Sequence, residues 1–179
     1  MGQFMNLFLL SYRPTLCAQW HCDKHVVKMI LELTQMLYTA HHMTDPEKLE
    51  EAPHAYKCAH KNHPMTIWVR TTRTNYMFTY KLAWALVKEF RHRYGHDHKC
   101  STHLEWLSCN IPDQIPDQRM TEVPQCMPDE FKVLGNPLEG YRNYYLGAKR
   151  SIAEWKKNRP APPWWNTTTV CDIPCISTL

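Results

Sequence analysis

A mostly α-helical fold, one compact domain spanning residues 1–179 with a long Pro-rich connection, is what the sequence predicts. Two long segments run free of Gly and Pro while apolar residues recur at three- and four-residue spacing. No segment alternates apolar and polar residues long enough to make a convincing strand, the nearest being the short run 4–10. At 179 residues, 44% hydrophobic and 21% charged, the chain is long and apolar enough to bury one core.

Pro14 suits the first turn of a helix, and from 15 to about 42 the apolar positions Cys22, Val26, Met29, Ile30, Leu33, Met36, Leu37 and Ala40 predict one long amphipathic helix. The charged segment 44–53 reads as a loop. His63-Pro64 restarts helix with Asn62 or His63 as its cap, and 75–94 carries a second long helical pattern that Gly95 ends. From about 110 to 137, prolines among polar residues predict an extended connection over the surface. A third helix is predicted over 137–157, carrying Tyr141, Tyr144, Tyr145, Ala148, Ile152 and Trp155, before an irregular tail from 159 to 179.

Composition excludes several function classes. The five glycines form neither a dinucleotide-binding fingerprint nor a phosphate-binding loop. Eight cysteines lack any C-x-x-C pair, so most of them are read as reduced, small apolar side chains instead of a disulfide or zinc framework. No stretch approaches the roughly 18 apolar residues of a membrane span, and no secretory signal is read at the start. A net charge of +4 permits a polyanionic partner. No cofactor and no standard metal-ligand spacing is evident.

The chemistry-bearing residues concentrate on the first long helix. At about 100° per residue, His21, His25, Lys28, Glu32, Gln35 and Thr39 fall in one stripe bordering the apolar face. Such a stripe can line a cleft, and it holds an amine, a carboxylate and two imidazoles, the inventory for proton transfer or anion handling. The plainer account is a solvated face with an i,i+4 Lys28–Glu32 pair. His21 and His25 share the spacing of a metal-ligand pair, without the Glu of a metalloprotease helix. The clusters around Cys58, His60 and His63 and around His96, His98, Cys100 and His103 read as loops.

Basic and aromatic residues also interleave: Arg70, Arg73 and Tyr76; Arg93 within 90–94; and Arg142, Asn143, Tyr144 and Lys149 on the third helix. Such runs hold phosphates and stack bases, or pack as an aromatic core under snorkelling cations.

The segment His21-Cys22-Asp23-Lys24-His25-Val26-Val27-Lys28-Met29-Ile30-Leu31-Glu32 resembles a family of short proteins from tailed phages and large DNA viruses. So do Asn62-His63-Pro64, Arg93-Tyr94-Gly95, the run 124–131, and Tyr141-Arg142-Asn143-Tyr144-Tyr145. Through Leu16-Cys17-Ala18-Gln19 and His25-Val26 it is more distantly similar to small helical pyrimidine-dimer DNA glycosylases. The resemblance implies excision of a damaged pyrimidine by an amine nucleophile and a helix-borne Glu, in a host-cell cytoplasm or a virion. An ungapped match puts Val27 at the position of that Glu, so the role passes to Glu32. Residues 1–4 precede the family-like start Met5-Asn6, so the amine is assigned to Lys28.

The expectation is a viral DNA-repair enzyme of glycosylase/lyase type, with Lys28, Glu32, His25 and His21 at its site. DNA is the partner, met by Arg70, Arg73, Tyr76, Arg93, Arg142, Asn143, Tyr144 and Lys149. The alternatives are a non-catalytic nucleic-acid-binding or virion-associated module, and a metal-dependent enzyme using His21, His25 and His63.

Overall fold

Two 22-residue helices, α2 (Asp23–Thr44) and α4 (Arg73–Tyr94), pack most extensively on each other and carry the centre of the core. The structure, a computed structural model, describes residues 6–52 and 54–166. It is mostly helical, and no strand occurs among the described residues. On α2 the side chains of Val26, Met29, Ile30, Leu33, Met36, Leu37 and Ala40 are buried, the spacing that faces one side of a helix inward. Leu82, Ala83, Leu86 and Phe90 answer from α4. The Thr72 side chain caps α4 by accepting from the Asn75 N–H at 3.2 Å, and Gly95, at φ 78°, ends it in the left-handed conformation that glycine adopts at least cost.

The single helix expected over 15–42 is instead two. Helix α1 (Pro14–Trp20) stops, His21 and Cys22 turn extended, and α2 begins at Asp23. No Gly or Pro causes the break. The carbonyls it frees find donors elsewhere in the fold: Arg93 donates to Gln19 and His21 at 3.0 and 2.9 Å, and the Trp155 indole N–H to Trp20 at 3.2 Å.

Helix α3 (Pro64–Val69) starts at the predicted His63-Pro64 signal, with the His63 ring accepting from the Met65 N–H. Helix α5 (Ser101–Cys109) was not expected, and it turns His103 from a loop residue into a helical one. Residues 46–51 form a 3-10 turn within the expected loop. Helix α6 (Pro137–Ala148) is shorter than the expected 137–157 and gives way to a 3-10 turn at Arg150–Ile152. Of the short strand candidate, residues 6–10 form no strand, with Phe8 at a positive φ, while 4 and 5 lie outside the described residues, as do 167–179 of the tail.

The Pro-rich connection crosses the molecule and is held at both ends. The Arg73 N–H donates to Pro116 O, and Asn75 bonds Thr121 through both its amide groups. Further on, Gln125 exchanges two hydrogen bonds with the Val133 backbone. It sits so close to α6 that a Cβ on Gly140 would run into its side-chain oxygen, and one on Gly147 would meet the Phe131 ring. These two glycines let the connection lie flat on α6, and that contact builds one wall of a cleft over α2. The six described cysteines are free, and Cys17, Cys22 and Cys100 are buried as small apolar groups; Cys171 and Cys175 lie outside the described residues.

Candidate active site

The cleft has a volume of about 680 Å³, within the range of small-molecule sites. Helix α2 supplies His25 and Lys28, three residues apart on one face. The start of α3 supplies His63 and Pro64, the connection Pro124 to Pro128 with Lys132, and α6 with its following turn Tyr144 and Lys149. Asn6 and Phe8 close the remaining side. Three lysines therefore stand on the wall, and no carboxylate does among the described residues.

The carboxylate lies behind them. Glu32 is 2% exposed, one turn beyond Lys28, whose ammonium is 3.0 Å from Oε1 and whose side chain is about half exposed. The other oxygen, Oε2, accepts from the Asn6 backbone N–H at 3.0 Å. Burial raises the Glu32 pKa above the ordinary range, against the opposing pull of its hydrogen bonds to Lys28 and Asn6. A carboxyl so placed is a weaker acid than an exposed one and lies within reach of the amine for proton exchange.

Asn6 anchors its segment by donating to Cys126 O at 2.9 Å and accepting from the Leu7 N–H at 2.8 Å. Phe8 then takes φ 48°, a conformation that costs a non-glycine residue about 1–2 kcal/mol. The strained turn lays the Phe8 ring against the His25 imidazole, stacked at 4.3 Å between centroids. Tyr144 runs nearly parallel to Phe8 at 6.0 Å, and the Lys149 ammonium sits 4.5 Å over the Tyr144 ring. The Tyr145 hydroxyl hydrogen-bonds His25 Nδ1. Burial first, then the charges of His21, Lys149 and Lys28, pull the His25 pKa down to about 3.

The structure brings together only part of the residue set expected from sequence. His25, Lys28, Tyr144 and Lys149 reach the cleft, with Glu32 beneath it. His21 does not, because the helix break takes it off the stripe. Its buried ring bonds Cys17 O through Nδ1 at 2.7 Å, and burial lowers its pKa to about 4. Val27, the residue at the ungapped position, points to solvent, 41% exposed.

Two residues expected to touch nucleic acid are core instead. Tyr76 is fully buried with its hydroxyl on His41, and Arg93 is 2% exposed among carboxylates and carbonyls. Both sit on the inward face of α4, where neighbouring basic residues suggested an outer one. Arg70 donates to Thr66 O and Arg142 to Leu10 O, the latter also lying over the Trp20 and Trp164 rings. Arg73 and Asn143 are half-buried and outside the cleft wall.

Sequence reasoning missed Asn6, Phe8 and Lys132, which come to the site from the two ends of its wall. The positive φ of Phe8 had no glycine to announce it. Lys132 pairs with Asp129 at 2.6 Å on the rim. Among the described residues no three of His, Cys, Asp and Glu converge as a metal-ligand set. No helix among them is long and apolar enough to cross a membrane. Comparison with protein-family models, curated proteins and solved structures finds no match to this chain.

Proposed function

We propose that the cleft is the active site of a DNA-acting glycosylase/lyase that removes a damaged or modified pyrimidine. One observation carries the reading: an amine and a buried carboxyl of raised pKa, Lys28 and Glu32, meet at 3.0 Å beneath a cleft walled by cations and aromatic rings. Cations without a competing wall carboxylate suit a phosphodiester, and the rings suit an extruded base.

In this mechanism Glu32 takes a proton from the Lys28 ammonium, and the amine attacks the sugar C1′. The bond from C1′ to the base breaks, and its electron pair leaves with the base, which takes up the proton that Glu32 first received and leaves Glu32 ionised again. The new C1′–N bond keeps a second amine proton, which Glu32 accepts and passes to the ring oxygen O4′, so that the ring opens to an imine. Removal of a C2′ proton then expels the 3′ phosphate, and water hydrolyses the imine to restore Lys28.

A second nucleophile is favoured by one contact. The Asn6 backbone nitrogen is 3.0 Å from Glu32 Oε2, so in a chain made to begin at Asn6 a free amine would face the same carboxylate.

Borohydride trapping on duplex DNA bearing an abasic site or a pyrimidine dimer tests both. The wild-type protein is expected to give a covalent adduct on the peptide containing Lys28, and Lys28→Met to give none. Glu32→Gln is expected to slow base release about a hundredfold or more. An adduct that survives Lys28→Met in a chain beginning at Asn6, and maps to Asn6, transfers the nucleophile's role to that nitrogen. No adduct and no strand cleavage on any lesion leaves a non-catalytic nucleic-acid-binding module as the better reading.

A further inference from the structure

We infer that His25 is a neutral hydrogen-bond donor, presenting Nε2–H to the O2 carbonyl of a keto pyrimidine, thymine or uracil in type, bound in the cleft. The inference rests on the glycosylase reading for its timing, because O2 is where charge collects when the base departs with the electron pair of its bond to C1′.

The other ring nitrogen sets the tautomer. His25 Nδ1 meets the Tyr145 hydroxyl. Tyr145 is fully buried, and burial holds its phenol well above its ordinary pKa, so it keeps its proton. The Cys22 backbone N–H, at the N-cap of α2, lies against the same hydroxyl and can only donate to its oxygen, and the Cys22 thiol beside it is a weak acceptor. The hydroxyl proton is then left for the best acceptor beside it, the Nδ1 lone pair. With Nδ1 accepting, the proton of a neutral ring is on Nε2. His25 lines the cleft, and its Nε2 makes no hydrogen bond within the described residues.

Everything packed around the ring opposes a second proton. His25 is the third residue of α2, at the positive end of the helix. Lys28 on its own helix, Lys149 beyond α6 and His21 before the break all disfavour the imidazolium. Phe8, stacked on one face, offers it no compensating acceptor. Tyr145 faces the ring as a donor. A neutral donor on the cleft wall suits an oxygen that becomes negative only as the bond breaks. A phosphate oxygen, charged throughout, is better matched by Lys28 and Lys149.

His25 is thus assigned to substrate, and Tyr145 is a positioning residue that acts through its tautomer. The experiment uses the whole protein labelled with ¹⁵N, and free thymine as the probe. Long-range ¹H–¹⁵N correlation is expected to show His25 with Nε2 protonated and Nδ1 bare, unchanged from pH 5.5 to 8. Thymine is expected to shift the Nε2–H signal. Tyr145→Phe should yield a mixture of tautomers, and His25→Phe, which keeps a ring against Phe8, should weaken thymine binding about tenfold or more, with His25→Gln restoring part of it.

A protonated Nδ1, an imidazolium at pH 7, or no Nε2–H shift up to the solubility limit of thymine overturns the inference. If Tyr145→Phe does not fold, the wild-type tautomer and its pH scan decide alone. A thymine-induced shift without any trapped adduct would remove the Lys28 chemistry and leave the base site standing. Base release at an undiminished rate in His25→Phe would do the reverse.

Discussion

Two cation–carboxylate arrangements touch α2, and they differ in what the cation has left to give. Arg93 is buried, and four of its five N–H donors are engaged, by Glu89 at 2.7 Å, Asp23 at 2.9 Å and the carbonyls of Gln19 and His21. Arg159 and the Lys156 N–H add further donors to the same two carboxylates. Lys28 gives one donor to Glu32, and its side chain remains about half exposed over a cleft. The first arrangement closes a helix break and ties α1, α2 and α4 together. The second leaves donors free beside a carboxyl that burial has made a weaker acid. A cation that has used its donors inside the protein is structure; one that has not is available to a ligand.

The largest expected effect breaks this contrast if it fails. Arg93→Met leaves Asp23 and Glu89 buried with fewer partners and the carbonyls of Gln19 and His21 without that donor, at a cost of about 3–5 kcal/mol. At this chain length that is a fall in Tm of roughly 10 °C. Lys28→Met removes a pair screened by solvent on one side and should cost under about 1 kcal/mol. Urea denaturation of the two variants checks it, and equal losses would mean that Lys28 is as structural as Arg93.

What the sequence made legible follows the same division. The interiors of α2 and α4 were readable because burial repeats with the helical period, and α3 because His63-Pro64 marks its start. The break at His21-Cys22 was not, since the guanidinium that takes up its carbonyls lies some 70 residues later. Helix α5 was hidden by its shortness and its polar neighbours, and the end of α6 by the lack of a nearby Pro. At the site, the pair of Lys28 and Glu32 was visible as i,i+4 on one face. The wall formed by Asn6, Phe8, Cys126 and Lys132 depends on contacts across as many as 120 residues, which no local pattern encodes. Arg93 and Arg142 looked like Lys149 in sequence because basic residues beside aromatic ones read alike whether their donors face inward or out.

A smaller effect sharpens the comparison through pH. Burial holds His21 and His41 at a pKa of about 4 and His25 at about 3, while each takes up a proton near 6.5 when unfolded. Below pH 6.5 the unfolded chain therefore binds more protons than the native one, so stability falls as pH falls, down to about pH 4. Each group contributes up to about 1.4 kcal/mol per pH unit. Denaturant titrations at pH 7, 6 and 5 should show the decline, and His25→Phe should make it shallower. An unchanged slope would mean that His25 is already charged at pH 5, and the cleft would then be wetter than the core around His21.

The smallest effect concerns which cations meet phosphate. Binding to duplex DNA is expected to weaken with salt, the logarithm of affinity falling by about 0.9 per phosphate contact for each unit of log salt concentration. Lys149 stands on the cleft wall over Tyr144, so Lys149→Met should lower that slope by about 0.9. Arg142 carries the same charge on α6, which ends just before Lys149, but its guanidinium donates to Leu10 O at 3.2 and 3.1 Å and lies against Trp20 and Trp164. Arg142→Met should therefore leave the slope unchanged while lowering stability. Equal slope losses for the two variants would show that donors committed inside the protein do not decide which cations reach the backbone of DNA, and no salt dependence at all would remove DNA as the partner of the cleft.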